Sequence, residues 1–151
     1  MTARGNGACR KGGSRIDRFL ARARSRLTRL GPLQARDAVR NGAILVDIRP
    51  EFQRRADGEI PGAIIVERNH LEWRLHPASS SRIVEAEDVD VHWIVMCDEG
   101  YASSLAAATL QMIGLHLATD VAGGFQAWRA AGLPVTSPGT VTPPRLASRT
   151  A

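Results

Sequence analysis

Cys97 is the residue whose position in this sequence most clearly suggests chemistry. It follows an apolar run at residues 93–96, and a short loop separates it from an Ala- and Leu-rich stretch that begins at Ser103. If the run is a strand and the stretch is a helix, the thiol lies over a helix N-terminus, where the dipole and the free N–H groups favour a thiolate. Consecutive N–H groups in such a loop can also bind an anion. The alternative is a structural cysteine, which acts as a small buried apolar residue.

Three short apolar runs and one further segment predict the strands that would position Cys97. They cover residues 43–46, 63–66, 93–96 and 117–121. The first three do not alternate with polar residues, as is typical of strands buried on both faces of a parallel sheet, and residues 117–121 could form one more strand. The helices predicted around them cover residues 34–40, 103–113 and 125–131. We therefore expect an α/β fold, a doubly wound parallel sheet with helices on both faces, whose ligands bind beyond the carboxyl ends of the strands.

Charge divides the chain into a basic start and an acidic body. Residues 1–30 carry nine basic residues and one acid, whereas residues 31–136 carry nine arginines and fourteen acids. An apolar stripe recurs at helical spacing among the first arginines, formed by Ile16, Phe19, Leu20, Ala23, Leu27 and Leu30. We predict a disordered start (1–14), a basic amphipathic helix (15–30), one α/β domain (31–136) and a disordered Pro-, Thr- and Ser-rich tail (137–151).

The basic helix has two interpretations. It binds an anionic surface, either membrane or nucleic acid, or its apolar stripe packs on the acidic domain. The stripe lacks Trp, so we favour packing, which argues against both nucleic acid and membrane as partners. No apolar run reaches the roughly 18–20 residues of a membrane span, and no secretory signal is apparent. The two cysteines, Cys9 and Cys97, suggest neither a disulfide framework nor a structural zinc site, so we expect a reducing, cytoplasmic location.

Four motifs in a fixed order carry a resemblance to a known family. They are Val46-Asp47-Ile48-Arg49, Gly58-Glu59-Ile60-Pro61-Gly62-Ala63, the loop from Cys97 to Ser103, and Gly123-Gly124-Phe125-Gln126-Ala127-Trp128. From about Gly31 to Val135 the sequence resembles the rhodanese family. The resemblance implies a rhodanese-like fold with Cys97 as the sulfur-accepting nucleophile and with Asp47 and Arg49 as supporting residues. Arg49 could instead brace its turn by pairing with Glu51 or Glu59.

The loop departs from the family pattern in its charge. The resemblance implies a substrate-binding loop formed by Asp98, Glu99, Gly100, Tyr101, Ala102 and Ser103. Strongly catalytic members commonly carry a cation just before the Ser, where this chain has Ala102. The carboxylates of Asp98 and Glu99 oppose a dianionic donor such as thiosulfate. We hypothesise that Arg68 or Arg74 reaches over Cys97 and supplies the missing cation.

These residues favour a sulfurtransferase. A donor, thiosulfate or another persulfide source, would place a sulfane sulfur on Cys97, and a thiol or cyanide would then accept it. This chemistry requires no metal and no organic cofactor. The alternative is a weakly catalytic or non-catalytic module that carries sulfur or binds a protein partner. A phosphatase of related fold would need an Arg at the close of the loop to clamp the phosphoryl group, and none lies between Cys97 and Leu105.

Overall fold

A parallel sheet of four strands runs through the centre of the computed structural model, which describes residues 13–148. The strands are β1 (Ile44–Asp47), β2 (Ile64–Ile65), β3 (Trp93–Met96) and β4 (Thr119–Asp120), in the order β2-β1-β3-β4. Asp47 of β1 lies beside Met96 of β3 in the register, so these two strands end at the same edge of the sheet. Each of the four predicted segments overlaps one strand.

Helices cover both faces of this sheet. They are α1 (Arg15–Arg24), α2 (Pro32–Arg40), α3 (Glu51–Asp57), α4 (Leu71–Leu75), α5 (Ala102–Met112) and α6 (Gly124–Ala130), with a 3₁₀ turn at Arg68–His70. Alternate side chains of β3 point to opposite faces, as in any strand. Trp93 and Val95 join one core with residues of α4 and α5, while Ile94 and Met96 join a second core with residues of α2 and α6. The predicted doubly wound α/β fold is confirmed.

The N-terminal helix is shorter than the predicted span of residues 15–30. Ser14 caps α1 through a reciprocal pair of hydrogen bonds with Asp17, and the helix ends at Arg24. The chain then turns, and Leu30 pairs with the edge of the sheet beside Val121. Pairing with the sheet requires an extended backbone, so the helix cannot continue to Leu30. Within residues 13–148 no helix is both long and apolar enough to cross a bilayer.

The apolar stripe of this segment packs only in its second half. Leu27 and Leu30 contact the two cores, whereas Ile16 and Phe19 of α1 stay more than half exposed. Helix α1 itself lies against α5. The segment therefore packs on the domain through α1 and through Leu27 and Leu30, but Ile16 and Phe19 of the predicted stripe remain exposed. The predicted disorder of residues 1–14 falls almost wholly on residues 1–12, which lie outside the described residues.

The tail was predicted to be disordered over residues 137–151, but residues 137–148 follow the surface of the domain, and residues 149–151 lie outside the described residues. The N–H of Gly139 donates to the carbonyl of Arg55, that of Arg145 donates to the carbonyl of Ile65 in the edge strand β2, and that of Ser148 donates to the carbonyl of Arg82. These bonds satisfy backbone groups that would otherwise face only water. A composition rich in Pro, Thr and Ser did not reveal them, because they depend on partners far away in the sequence.

Glu59 connects the tail to the domain. Its buried carboxylate accepts a hydrogen bond from Arg54 Nη1 at 2.6 Å and one from the N–H of Thr142 at 2.8 Å. Burial raises the pKa of Glu59, but the hydrogen bonds from Arg54 and Thr142 outweigh burial and hold that pKa below its ordinary value. The ionised carboxylate is therefore a stabilising partner of the buried Arg54 guanidinium.

Candidate active site

The loop that carries Cys97 joins β3 to α5. β3 ends at Met96, the loop follows, and α5 begins at Ala102. The sequence predicted that this helix begins at Ser103, but it begins one residue earlier, after the N-cap residue Tyr101, which makes no side-chain capping bond. The Ser103 hydroxyl donates to Asp120 Oδ2 at 2.7 Å, and the Ser103 N–H faces the thiol.

The thiol accepts two backbone hydrogen bonds. Gly100 N–H lies 3.2 Å from Cys97 Sγ, and Ser103 N–H lies 3.3 Å from it. Gly100 has a φ of 87°, a conformation that favours glycine. Both donors lie at the N-terminal end of an eleven-residue helix, so hydrogen bonds and helix dipole favour negative charge on the same sulfur. Cys97 as a whole residue is 7% exposed, so it is largely shielded from bulk solvent.

An open cavity of about 450 Å³ lies over the sulfur. Its walls come from the active-site loop, from the segment after β1 and from the start of the 3₁₀ turn. They comprise Ile48, Arg49, Pro50, Gln53, Arg68, Cys97, Asp98, Glu99, Tyr101 and Ala102. Of the two candidate cations, Arg68 lines this cavity, where it also pairs with Glu72 at 2.6 Å. Arg74 does not line it, and donates to the carbonyl of Ser81.

Asp47 and Arg49 form an ion pair that is wholly buried. Arg49 Nη2 lies 2.8 Å from Asp47 Oδ2 and also donates to the carbonyl of Gly58. The guanidinium stacks on the ring of Phe125 at 3.8 Å. The partner of Arg49 is thus Asp47 and neither Glu51 nor Glu59. Its Nη1 is buried and has no hydrogen-bond partner among residues 13–148.

The two acids of the loop differ in their surroundings. Asp98 Oδ1 accepts a hydrogen bond from Gln126 Nε2 at 2.9 Å, which ties the side chain to α6. Glu99 is exposed. Glu99 is therefore the acid that is free to act on a charged donor, and Asp98 has a structural partner as well.

Sequence reasoning missed the residues that hold the loop from behind. Arg24 and Arg29 each donate to the carbonyl of Gly100, at 2.8 and 3.0 Å. Asp120 is fully buried, and it accepts bonds from Arg29 and from the hydroxyls of Ser103 and Ser104. A signal was available for Asp120, because an acid at the carboxyl end of a predicted strand belongs to the functional edge of the sheet.

Comparison with known proteins agrees with this geometry. A family model described as Rhodanese-like domain matches residues 32–131. Thiosulfate sulfurtransferase GlpE of Ectopseudomonas mendocina is 36% identical over 107 residues, which cover 70% of this chain and 88% of that protein. The protein of the same name from Pseudomonas aeruginosa is 35% identical over 102 residues, which cover 68% and 84%.

Two solved structures show the same architecture. One is a Rhodopseudomonas palustris protein of unknown function, described as a possible tyrosine phosphatase, with 31% identity and a TM-score of 0.73, covering 87% of this chain and all of that one. The other is the polysulfide-sulfur transferase of Wolinella succinogenes, with 21% identity and a TM-score of 0.64, covering 80% of this chain and 86% of that one. The second likeness concerns the fold alone.

The chain therefore belongs to the rhodanese-like domain family. Its curated relatives also give the enzyme class, and the protein is a rhodanese-type sulfurtransferase.

Proposed function

We propose that Cys97 carries the transferred sulfur as a persulfide. The observation that supports this is the pair of N–H groups of Gly100 and Ser103, both directed at a thiol beneath an open cavity. The Cys97 thiolate attacks the outer sulfur of the donor, an Sγ–S bond forms, and the donor S–S bond breaks. With thiosulfate as the donor, sulfite leaves with the electron pair of that bond.

The second half of the reaction regenerates the thiolate. The acceptor, a thiolate or cyanide, attacks the terminal sulfur of the persulfide. A bond forms between acceptor and sulfur, and Cys97 leaves with the electron pair of the Sγ–S bond. The same two N–H donors stabilise the thiolate as attacking group and as leaving group, so one arrangement serves both steps.

The donor is an anion whose affinity depends on opposed charges. Arg68 brings positive charge to the wall of the cavity, whereas Asp98 and Glu99 bring negative charge and Arg49 is paired with Asp47. The pairing of Arg68 with Glu72 reduces the field of that cation further. We propose thiosulfate as a usable donor with weak affinity, and a less charged persulfide source as the better one.

Steady-state kinetics with thiosulfate and cyanide tests this proposal. Thiocyanate formation should follow ping-pong kinetics, because the donor product leaves before the acceptor reacts. Cys97→Ser should abolish the reaction, and the matched control Cys9→Ser should retain it. Thiocyanate formation by Cys97→Ser protein at the native rate would refute the proposal. A cytoplasmic location belongs to the same proposal, because the thiol must stay reduced between turnovers.

Two other functions receive less support. A sulfur-carrying or protein-binding module would form the persulfide but transfer it to cyanide very slowly, which the same assay detects. A phosphatase needs an Arg in the loop to clamp the phosphoryl oxygens. The loop has Ala102 before Ser103 instead, so we expect no hydrolysis of p-nitrophenyl phosphate above the rate without enzyme.

A further inference from the structure

Two arginines outside the region that the family model matches reach the active-site loop. Arg24 ends α1 and Arg29 lies in the segment that follows, whereas the match begins at residue 32. The Nη2 atoms of both donate to the carbonyl oxygen of Gly100, at 2.8 and 3.0 Å. The N–H of the same Gly100 donates to Cys97 Sγ. We propose that Arg24 and Arg29 are positioning residues for the sulfur-transfer reaction, and that the N-terminal segment is part of the active site.

Arg29 is also connected, through Asp120, to Ser103, whose N–H is the second donor to the thiol. Its guanidinium makes two hydrogen bonds to Asp120, at 2.8 and 3.2 Å. Asp120 in turn accepts the Ser103 hydroxyl, and the N–H of Ser103 is the other donor to Cys97. The residues that supply both N–H groups at the sulfur are thus bonded to the N-terminal segment. Gly100 is bonded through its carbonyl to Arg24 and Arg29, and Ser103 is bonded through the Asp120 carboxylate to Arg29.

The loop is held at Gly100 from two sides. A Cβ at this residue would lie 2.8 Å from the backbone nitrogen of Gly123 and 3.2 Å from Arg29 Nη2. Arg24 secures the arrangement further through a hydrogen bond to Ser104 Oγ at 3.0 Å, within α5. The backbone that carries the thiolate donors therefore has little room to move while both arginines are in place.

The two arginines also supply positive charge near a loop that has no cation of its own. Asp120 is buried without exposure to solvent, and Arg29, whose side chain is 21% exposed, neutralises it. Without Arg29, the carboxylate would be an uncompensated negative charge beside the residue that binds the thiolate. The other charged groups that line the loop and its cavity are Asp98, Glu99, Arg49 and Arg68. Cations behind the loop thus take the place of a cation within it.

The test measures the reactivity of the thiol, so it does not depend on sulfur transfer. In the full chain carrying Cys9→Ser, the rate of Cys97 alkylation by iodoacetamide is followed across a pH series. Arg24→Ala and Arg29→Ala are compared with Arg22→Ala, which removes an exposed arginine of the same helix. We expect alkylation at pH 7 to slow about threefold to tenfold in the first two variants, and the pH profile to move upward, because the thiolate loses stabilisation.

Unchanged alkylation profiles in folded Arg24→Ala and Arg29→Ala proteins would overturn the inference. If Arg29→Ala does not fold, Arg24→Ala carries the test alone, because it leaves the Arg29–Asp120 ion pair in place. The inference rests on the proposed function only for the identity of the nucleophile. A failure of that function appears in the native chain, as the absence of a persulfide, whereas a failure of this inference appears only in the variants.

Discussion

Replacement of Glu59 by Gln gives the sharpest test of how the tail and domain are held together. The Glu59 carboxylate and the Arg54 guanidinium are 2.6 Å apart, with side chains 6% and 1% exposed. Removing one partner of a buried ion pair typically costs about 3–5 kcal/mol, because the remaining charge stays buried without compensation. Arg54 keeps a hydrogen bond to the carbonyl of Thr142 at 2.9 Å. We therefore expect Glu59→Gln to lower the free energy of unfolding by an amount at the low end of this range, about 3 kcal/mol.

The pH dependence of this loss has a definite sign. The folded-state pKa of Glu59 is lowered, so its carboxylate stabilises the fold above the pKa of the unfolded chain, about 4.3 for an ordinary Glu. That stabilisation disappears as the pH falls through the lower folded-state value. The difference between native and Glu59→Gln proteins should be full at pH 7 and should shrink as the pH falls below about 4.

Urea denaturation of the two proteins at a series of pH values measures this difference. At pH 7 a loss of about 3 kcal/mol lowers the midpoint by roughly 1.5–2 M for slopes of about 1.5–2 kcal/mol/M. Glu51→Gln is the matched control, because Glu51 pairs with Arg55 where both side chains are 55% exposed, and should cost below about 0.5 kcal/mol. A loss below about 1 kcal/mol for Glu59→Gln at pH 7, or one that persists undiminished in acid, would refute the reasoning.

Three further changes act on the active site. Glu99→Gln should lower the KM for thiosulfate by about twofold to threefold at low salt, and added salt should remove the gain; an equal gain at high salt would contradict the electrostatic cause. Arg68→Ala should raise that KM severalfold while Arg74→Ala leaves it unchanged, and equal effects would show that Arg68 does not face the donor. A Cβ at Gly124 would lie 2.5 Å from the carbonyl oxygen of Cys97, so Gly124→Ala should cost about 2–4 kcal/mol and most of the activity. Gly114→Ala, with open space around its Cβ, should lose about 1 kcal/mol and keep its activity.

The sequence was sufficient to predict the sheet and the placement of Cys97. Continuous apolar runs mark strands buried on both faces, and Cys97 follows directly after one of them. The neighbouring residues alone therefore predict that Cys97 lies at the carboxyl edge of the sheet. α3 was not predicted, because its seven residues after Pro50 are too few to show a helical repeat of apolar residues. The tail was misjudged from its composition, since its bonds to Arg55 and Ile65 join distant parts of the chain.

The candidate site shows the same division between local and long-range information. Arg68 follows β2, so the carboxyl edge of the sheet already suggested that it meets Cys97. Arg24 and Arg29 lie about 70 to 80 residues from their partners at Gly100 and Ser104. The sequence showed both arginines as part of a basic segment. A charge pattern, however, does not identify which carbonyl or carboxylate each arginine will bind. Only the folded chain shows that the basic segment supports the loop.

Intact mass spectrometry after brief exposure to a sulfane-sulfur donor tests the central claim most directly. Native protein treated with thiosulfate, or with cysteine persulfide as a less charged donor, should gain the mass of one sulfur atom, and added cyanide should remove it. Cys9→Ser protein should behave in the same way, and fragmentation should place the sulfur on Cys97. A native chain that gains no sulfur from either donor, or a Cys97→Ser chain that gains it equally, would contradict the account.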